Sequence, residues 1–469
     1  MSTENDEKSL ALGVSNMLWS DNGDDDLKLT RSCPSFQSID DGFDPAEVKR
    51  LTRKVDFRIV PILSAMYSIS LIDRNNVSLA RQANNMAMQN TLGLGVGMRF
   101  SIITLVFFLT YIVCELPSQL GLRRFGPRWW LGTAVLLWGI VMITMTFASS
   151  WIHLVVQRLL LGMFESCLLP GAAYLLACWY PRRNMASRNA IFFTVSCVMA
   201  GLAGIMTWGF SHLDGKRGLA GWQWIFLLCG VLTILVAIAT YLGIQDFPDR
   251  ATFLTKEERH LITTRIQRDR ADADADKLDM HKVLRYVKDP KIWIWGYCFC
   301  CGTMGGYSLA FFQPRNALSQ ILICPPQIWM MTQTITLAFI ADRTKWRSQV
   351  VIFNALVMIT GTMVYSQLPK SQKGARYFGV FANIRAQSKR AFTSAVVIAF
   401  GGIGGIIAAV AFKESEATRG YPTGIWLTVA MNGVMVFAAA GLKLYMVQAN
   451  RRANRGLTVL EGHEGFRYQ

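Results

Sequence analysis

Long apolar stretches recur along most of this chain, and no other feature narrows its possible folds as far. Runs of about 18 to 25 mainly apolar residues, enough to cross a hydrocarbon layer roughly 30 Å thick as helix, begin near Ile59, Phe100, Trp130, Ile152, Ala190 and Trp224. Further runs cover about 291–312, 321–340, 350–365, 391–412 and 424–447. In lipid every backbone N–H and C=O must find a partner inside the protein, so segments of this kind become helices. Of the 469 residues, 52% are hydrophobic and 17% charged, against roughly 25% charged in a soluble domain. The expected class is an all-α membrane protein with about eleven spans.

A polar stretch at 245–290 divides six runs from five. It carries Lys256, Glu257, Glu258, Arg259, Arg265, Arg268, Asp269 and Arg270, and Thr255 to Glu258 fits a helix-starting capping box followed by an apolar stripe of Leu261, Ile262 and Ile266. The expected organisation is a disordered cytosolic tail at 1–56, a six-helix bundle at 57–244, a cytosolic connector at 245–290, a second and incomplete bundle at 291–448, and a short cytosolic tail at 449–469. Residues 1–56 contain no long apolar run, so no cleavable signal peptide is expected.

The net charge of +17 does not call for a nucleic-acid partner, because the basic residues sit in short clusters between apolar runs. They follow the positive-inside pattern of cytosolic loops instead. Lys49, Arg50, Arg53 and Lys54 precede the first run, Arg123, Arg124 and Arg128 follow the second, and Arg182, Arg183 and Arg188 follow the fourth. Arg343, Lys345 and Arg347, then Arg385, Lys389 and Arg390, and finally Arg451, Arg452 and Arg455 also belong inside. That last cluster demands an even number of crossings, yet between Tyr365 and Arg385 the only apolar piece is 377–384, which as helix reaches about 12 Å. Either the second half has lost a helix or a segment is missing from the sequence.

Chemistry concentrates in two places. The first run ends in Ser70-Leu-Ile-Asp73-Arg74-Asn75-Asn76. Asp73 can titrate and Arg74 cannot, so the pair offers a proton site beside a fixed fork that matches a carboxylate; the alternative is a solvent-exposed pair at a loop edge. In the fourth run Arg158, Gly162 and Glu165 are spaced by four and three and share a helix face. A mid-span carboxylate is costly to ionise without a partner, as a proton-coupling site requires; the alternative is a purely structural Arg158–Glu165 ion pair. The ten cysteines lie mostly in apolar runs and behave as small hydrophobes. The triplet Cys298, Cys300 and Cys301 has no flanking His, and the five His residues are scattered, so no metal site, no cofactor and no enzyme are expected.

Taken together, Lys54-Val-Asp56 through Pro61 to Asp73-Arg74-Asn75, the turn Arg124-Phe-Gly126-Pro127-Arg128, the Arg158 to Gly171 run and Trp179-Tyr180-Pro181-Arg182-Arg183 resemble the major facilitator superfamily. More narrowly, they are similar to its fungal anion:cation symporter family of allantoate, nicotinate and pantothenate permeases. Asp246-Phe-Pro248 and Phe253-Leu-Thr255-Lys-Glu-Glu258 fit the connector of that family, and the likeness runs from about Asp44 to Arg452. It implies a two-bundle fold of nominally six plus six helices, the tenth being absent here, and proton-driven uptake of a small carboxylate by alternating access. The resemblance implies proton coupling at Asp73 and Glu165, substrate contact at Arg74, Arg158, Tyr307 and Gln313, and gating at Arg124, Gly126, Arg128, Asp342 and Arg343. The expected partners are a small organic anion, protons and the bilayer, for a monomer in the plasma membrane. A nutrient sensor or inactive descendant of such a transporter is the alternative.

If a segment is missing, the transcript encodes about 15 to 25 further, mostly apolar residues between Gly379 and Gln387. If the chain is as written, an epitope tag placed after Gln469 is accessible outside intact cells. An internal tag with an unchanged transcript would contradict the count of spans.

Overall fold

In the computed structural model the described residues are 43–248, 251, 253–270, 290–311, 325–326, 328–329, 332–333, 336–337, 347–367, 394–412, 416 and 421–455. Gln313, Asp342 and Arg343, the 377–384 segment, and residues 1–42 and 456–469 of the expected tails lie outside them, whereas most of 43–56 and 449–455, expected to be tail, is helical. The described residues form helices and no strand. The first half consists of α1 (Pro45–Gln82), α2 (Arg99–Phe125), α3 (Pro127–Met145), α4 (Trp151–Glu165), α5 (Leu168–Trp179), α6 (Arg182–Ser211) and α7 (Gly221–Gly243). The connector helix α8 (Lys256–Arg270) precedes α9 (Pro290–Phe311), α10 (Arg347–Gln367), α11 (Ser394–Ala411) and α12 (Pro422–Asn454). Among the described residues seven helical spans are long and apolar enough to cross a membrane, α4 and α5 together counting as one, and Ile352–Val364 and Phe400–Ala411 are shorter apolar segments.

Local chemistry explains the main boundaries. α1 starts at Pro45, earlier than the expected bundle boundary at 57, because the Asp44 side chain accepts from the Ala46 N–H at 3.0 Å and Pro at the first helical position loses no intrahelical bond. It also runs on through Asp73 and Arg74 to Gln82, past the point where hydropathy falls. Helix α4 stops directly after Glu165 and α5 begins at Leu168. Pro170 cannot donate to the Ser166 carbonyl and its ring crowds it, which breaks the ladder at that point.

In the first half α1 packs on α6 and α7, α3 on α7, and α2 on α4. Ile59, Leu63, Met66, Ile72, Trp138, Trp222 and Phe226 are among the residues buried in its core. In the second half α9 packs on α11 and α10 on α12, around Cys298, Cys301, Ala355 and Met435 on one side and Met304, Ala408 and Phe412 on the other. Large apolar side chains point outward as a lipid-facing surface requires, Leu116, Leu242 and Phe437 being 67%, 76% and 80% exposed.

Small residues set the closest approaches. A Cβ at Gly162 would collide with Thr110 Oγ1 and the Phe107 carbonyl of α2, so α4 and α2 meet at nearly backbone distance. On α11 a Cβ at Gly404 would strike Thr303 and the Cys300 carbonyl of α9, whereas one at Gly402 or Gly405 would strike Ile112 or Phe108 of α2. The same glycine cluster therefore serves packing within the second half and against the first.

The connector folds back on the first half. Its capping box forms, with Glu258 N–H donating to Thr255 Oγ1 at 3.2 Å and Thr255 N–H to Glu258 Oε2 at 3.1 Å. Lys54 donates to Glu258 Oε2 at 2.7 Å, Phe253 stacks on Trp179, and Arg58 lies 4.6 Å above the Phe253 ring. Burial works to raise the Glu258 carboxyl, but the Lys54 hydrogen bond and the capping N–H outweigh it and hold the group below its ordinary value.

Candidate functional site

The two charged motifs converge in the interior of the first half, facing the second. Asp73 and Arg74 are adjacent on α1 and therefore point in different directions. Asp73, fully buried, turns into its own bundle, where Oδ1 accepts from Asn76 Nδ2 at 2.8 Å and Oδ2 accepts from Trp138 Nε1 at 2.9 Å and Thr233 Oγ1 at 3.1 Å. Three helices, α1, α3 and α7, are thus joined through one carboxylate. The loop-edge alternative does not apply to this pair.

Arg74 points the other way. Its Nε donates to Glu165 Oε1, which also accepts from Ser70 Oγ, and its Nη1 reaches the Tyr307 hydroxyl of α9 at 3.4 Å. The guanidinium lies 4.9 Å from the Tyr111 ring and 5.8 Å from the Phe107 ring. Arg158, also buried, sits 5.6 Å from the same Phe107 ring. One phenyl ring on α2 therefore lies beside two guanidinium groups, and cation–π attraction offsets part of their cost of burial. Glu165 and Arg158 share a helix face as their spacing demands, yet the ion pair of Glu165 is with Arg74, across the α1–α4 contact.

Hydrogen-bonding capacity is left over at this spot. Arg74 Nη2, Glu165 Oε2, Arg158 Nε and the Tyr111 hydroxyl are all buried and have no partner among the described residues. Buried polar atoms are nearly always satisfied in folded proteins, so a cluster of four such atoms around one ion pair marks a place built to take a polar guest. Tyr307 closes the far side, with its ring edge-on to Phe108 at 4.9 Å. The arrangement can present a fixed cation to an anion, and a carboxyl group to a proton, within one aromatic-walled space.

Arg124, Gly126 and Arg128, expected from the sequence to gate, lie apart from it. Gly126, between α2 and α3, has φ 84°, a backbone state natural to glycine. Asp246 Oδ1 accepts from the Arg128 N–H at 3.3 Å, and a Cβ at Gly126 would stand 3.0 Å from that oxygen. Arg128 Nε donates to the Tyr241 carbonyl at 2.7 Å, which ties the α2–α3 turn to the end of α7. Arg124 lies over Phe125 at the same end.

Sequence reasoning did not pick out Ser70, Phe107, Tyr111, Trp138, Thr233 or Glu115. Trp138 and Thr233 carry no signal in apolar runs, because their role appears only when α3 and α7 dock on α1. Glu115 did carry one: it is a carboxylate in the middle of the second run, and the rule that singles out Glu165 applies to it equally.

Comparison with known proteins accounts for this architecture. The model of the Major Facilitator Superfamily matches residues 63–439, and the chain belongs to that superfamily of membrane transporters. An uncharacterised transporter of Schizosaccharomyces pombe is 28% identical over 431 residues, which cover 86% of this chain and 84% of that protein. A protein of Agrobacterium vitis named as a tartrate transporter is 28% identical over 323 residues, 66% of this chain and 70% of that one. In fold the chain is similar to the xylose transporter XylE from E. coli in its inward open conformation, with TM-score 0.64 and 13% identity over 82% of this chain and 95% of XylE.

Removing one donor from a buried carboxylate costs about 1.5–3 kcal/mol. Trp138→Phe is therefore expected to lower the thermal unfolding temperature of the detergent-solubilised protein, and Thr233→Val to lower it less. Unchanged melting in Trp138→Phe would show that Asp73 does not hold the bundle together.

Proposed function

We propose that this chain is a proton-coupled symporter for a small organic anion, working by alternating access at the Arg74–Glu165 pair. The observation that supports it most is the competition built into that pair. Glu165 already holds Arg74 Nε while Nη2 stays open, so a substrate carboxylate that takes the Nε–Nη2 edge as a fork has to displace Glu165, with Arg158 a second buried cation nearby.

The physics of burial then links the two ligands. An unpaired charge in a low-dielectric interior is strongly unfavourable, so a substrate carboxylate can take Arg74 only if Glu165 becomes neutral by binding a proton. Substrate and proton therefore load together from the outside. When the site opens inward and the anion leaves, Arg74 recaptures Glu165 and the proton is expelled. One proton carried with one carboxylate moves no net charge, so the proton concentration gradient drives the uptake of a monocarboxylate and the membrane potential does not. The geometry supports Glu165 over Asp73 as the proton carrier, because Asp73 already accepts from three protein donors whereas Glu165 keeps a free oxygen. Arg158 and Tyr307 complete the anion site, and the Gly126–Arg128–Asp246 cluster is the inner gate.

The name of the Agrobacterium vitis relative makes tartrate a first probe, alongside nicotinate, pantothenate and allantoate, each radiolabelled and offered to vesicles holding an inward proton gradient. Accumulation of at least one of these carboxylates above equilibrium is expected. Glu165→Gln is expected to abolish that accumulation while exchange of internal for external substrate persists, and Arg74→Lys to weaken binding several-fold because an ammonium cannot reproduce the fork. Undiminished accumulation in Glu165→Gln would contradict the coupling mechanism, and wild-type affinity in Arg74→Lys would contradict the anion site.

A further inference from the structure

Helix α2 carries a second feature that substrate binding does not use. Tyr111, Glu115 and Gln119 follow one another at intervals of four along its inward face, while Val113 and Leu116 on the other side are 65% and 67% exposed toward lipid. The Tyr111 hydroxyl, both carboxylate oxygens of Glu115 and Nε2 of Gln119 are buried with no partner among the described residues. Glu115 is 1% exposed. A structural role would need a donor for that carboxylate, and among the described residues none lies within hydrogen-bond distance.

The row has a direction. It starts at Tyr111, whose ring lies 4.9 Å from the Arg74 guanidinium, and descends about 12 Å, at 1.5 Å per residue, toward the α2–α3 turn at Gly126. Basic clusters place that turn on the cytosolic side. The helices packed against α2 carry His153, Arg158 and Glu165 on α4, Tyr174 and Cys178 on α5 and Arg128 on α3, while Arg74 of α1 reaches its Tyr111 ring and Tyr307 of α9 its Phe108 ring; Arg123 of α2 itself lies over Tyr174 at 5.0 Å. Ser394–Ala411 of α11 contributes none. A line of unsatisfied polar atoms with apolar walls is the setting in which water is held in file.

We infer that Tyr111, Glu115 and Gln119 form a hydrated proton path from the Arg74–Glu165 pair to the cytosol, with Glu115 as its relay carboxylate. The inference rests on the proton-coupled reading of that pair. As Arg74 recaptures Glu165, the O–H bond of the Glu165 carboxyl breaks and its proton passes through water and the Tyr111 hydroxyl to the Glu115 carboxylate, which becomes a neutral carboxyl. That group then gives one proton to cytosolic water along Gln119 and returns to the carboxylate. One proton enters the path and one leaves, with no change of oxidation state. Separating the outer loading group from the inner releasing group lets the proton depart inward while Arg74 blocks its return.

Two measurements on the full chain in bilayers test this without a known substrate. In a background freed of native cysteines, single cysteines at Glu115 and Gln119 are exposed to an anionic, membrane-impermeant methanethiosulfonate from the cytosolic face. Because the thiolate reacts and needs water, Gln119→Cys is expected to label about tenfold faster than the lipid-facing Leu116→Cys, with Glu115→Cys between them. In the unmutated protein, infrared difference spectra during a pH titration are expected to show a carboxyl C=O band that Glu115→Gln removes, that Glu115→Asp restores shifted, and that Glu165→Gln leaves in place. Labelling at the Leu116→Cys rate, or a spectrum untouched by Glu115→Gln, overturns the path. Loss of the path with intact coupling at Glu165 would refute this inference alone, whereas uncoupled transport with a wet, titrating row would refute the reading of Glu165.

Discussion

The ion pair between Arg74 and Glu165 is the contact around which the rest of this molecule is arranged. Two opposite charges are buried inside the protein, Arg74 within α1 and Glu165 at the last residue of α4, and neither is tolerable there without the other. Everything near them either holds them in register or leaves them something further to bind. Ser70 adds a second donor to the same Glu165 oxygen, Tyr307 reaches Arg74 from the second half, and Phe107 lies beside both Arg74 and Arg158. The pair is also incompletely satisfied, since one guanidinium nitrogen and one carboxylate oxygen have no partner among the described residues.

The surrounding fold can be understood as support for that unfinished contact. Asp73 fastens α1 to α3 and α7, and because it neighbours Arg74 in sequence it fixes the rotation of α1 that turns Arg74 toward α4. Gly162 lets α4 approach α2 closely enough for Phe107 to lie beside both arginines. The break at Pro170 ends α4 immediately after Glu165, and interrupted helices at mid-membrane are where transporter folds place their ligands. The glycines of α11 bring the second half against Phe108 and Ile112 of α2, next to Tyr307. A motion that separated α11 from α2 would therefore alter the Arg74 environment directly, without any long relay.

Much of this was legible in the sequence, and the limits follow physical lines. Local patterns were readable: the apolar runs, the capping box from Thr255 to Glu258, and the shared face of Arg158 and Glu165 all depend on residues a few positions apart. Partner choice was not readable, because it depends on docking. Lys54 and Glu258 are 204 positions apart and Arg74 and Glu165 are 91 apart, so neither pair has a sequence signature. Hydropathy also placed the end of the first span at Asp73-Arg74, whereas α1 continues to Gln82. Hydropathy scores each residue alone, and here the cost of the charges is offset by partners on other helices. Glu115 shows the opposite case, a signal present in the sequence whose meaning emerged only with the neighbouring Tyr111 and Gln119 in place.

The central claim is that Arg74 and Glu165 stabilise the unloaded protein as a pair. A double-mutant cycle measures this most directly, with thermal and denaturant unfolding of Arg74→Met, Glu165→Gln and the double variant in detergent. A real buried pair predicts that each single change is strongly destabilising and that the second change recovers stability, leaving a coupling of about 2 kcal/mol or more. Effects that simply add, to within about 0.5 kcal/mol, would show that the two groups do not depend on each other, and the account built on their competition for a substrate carboxylate would be wrong.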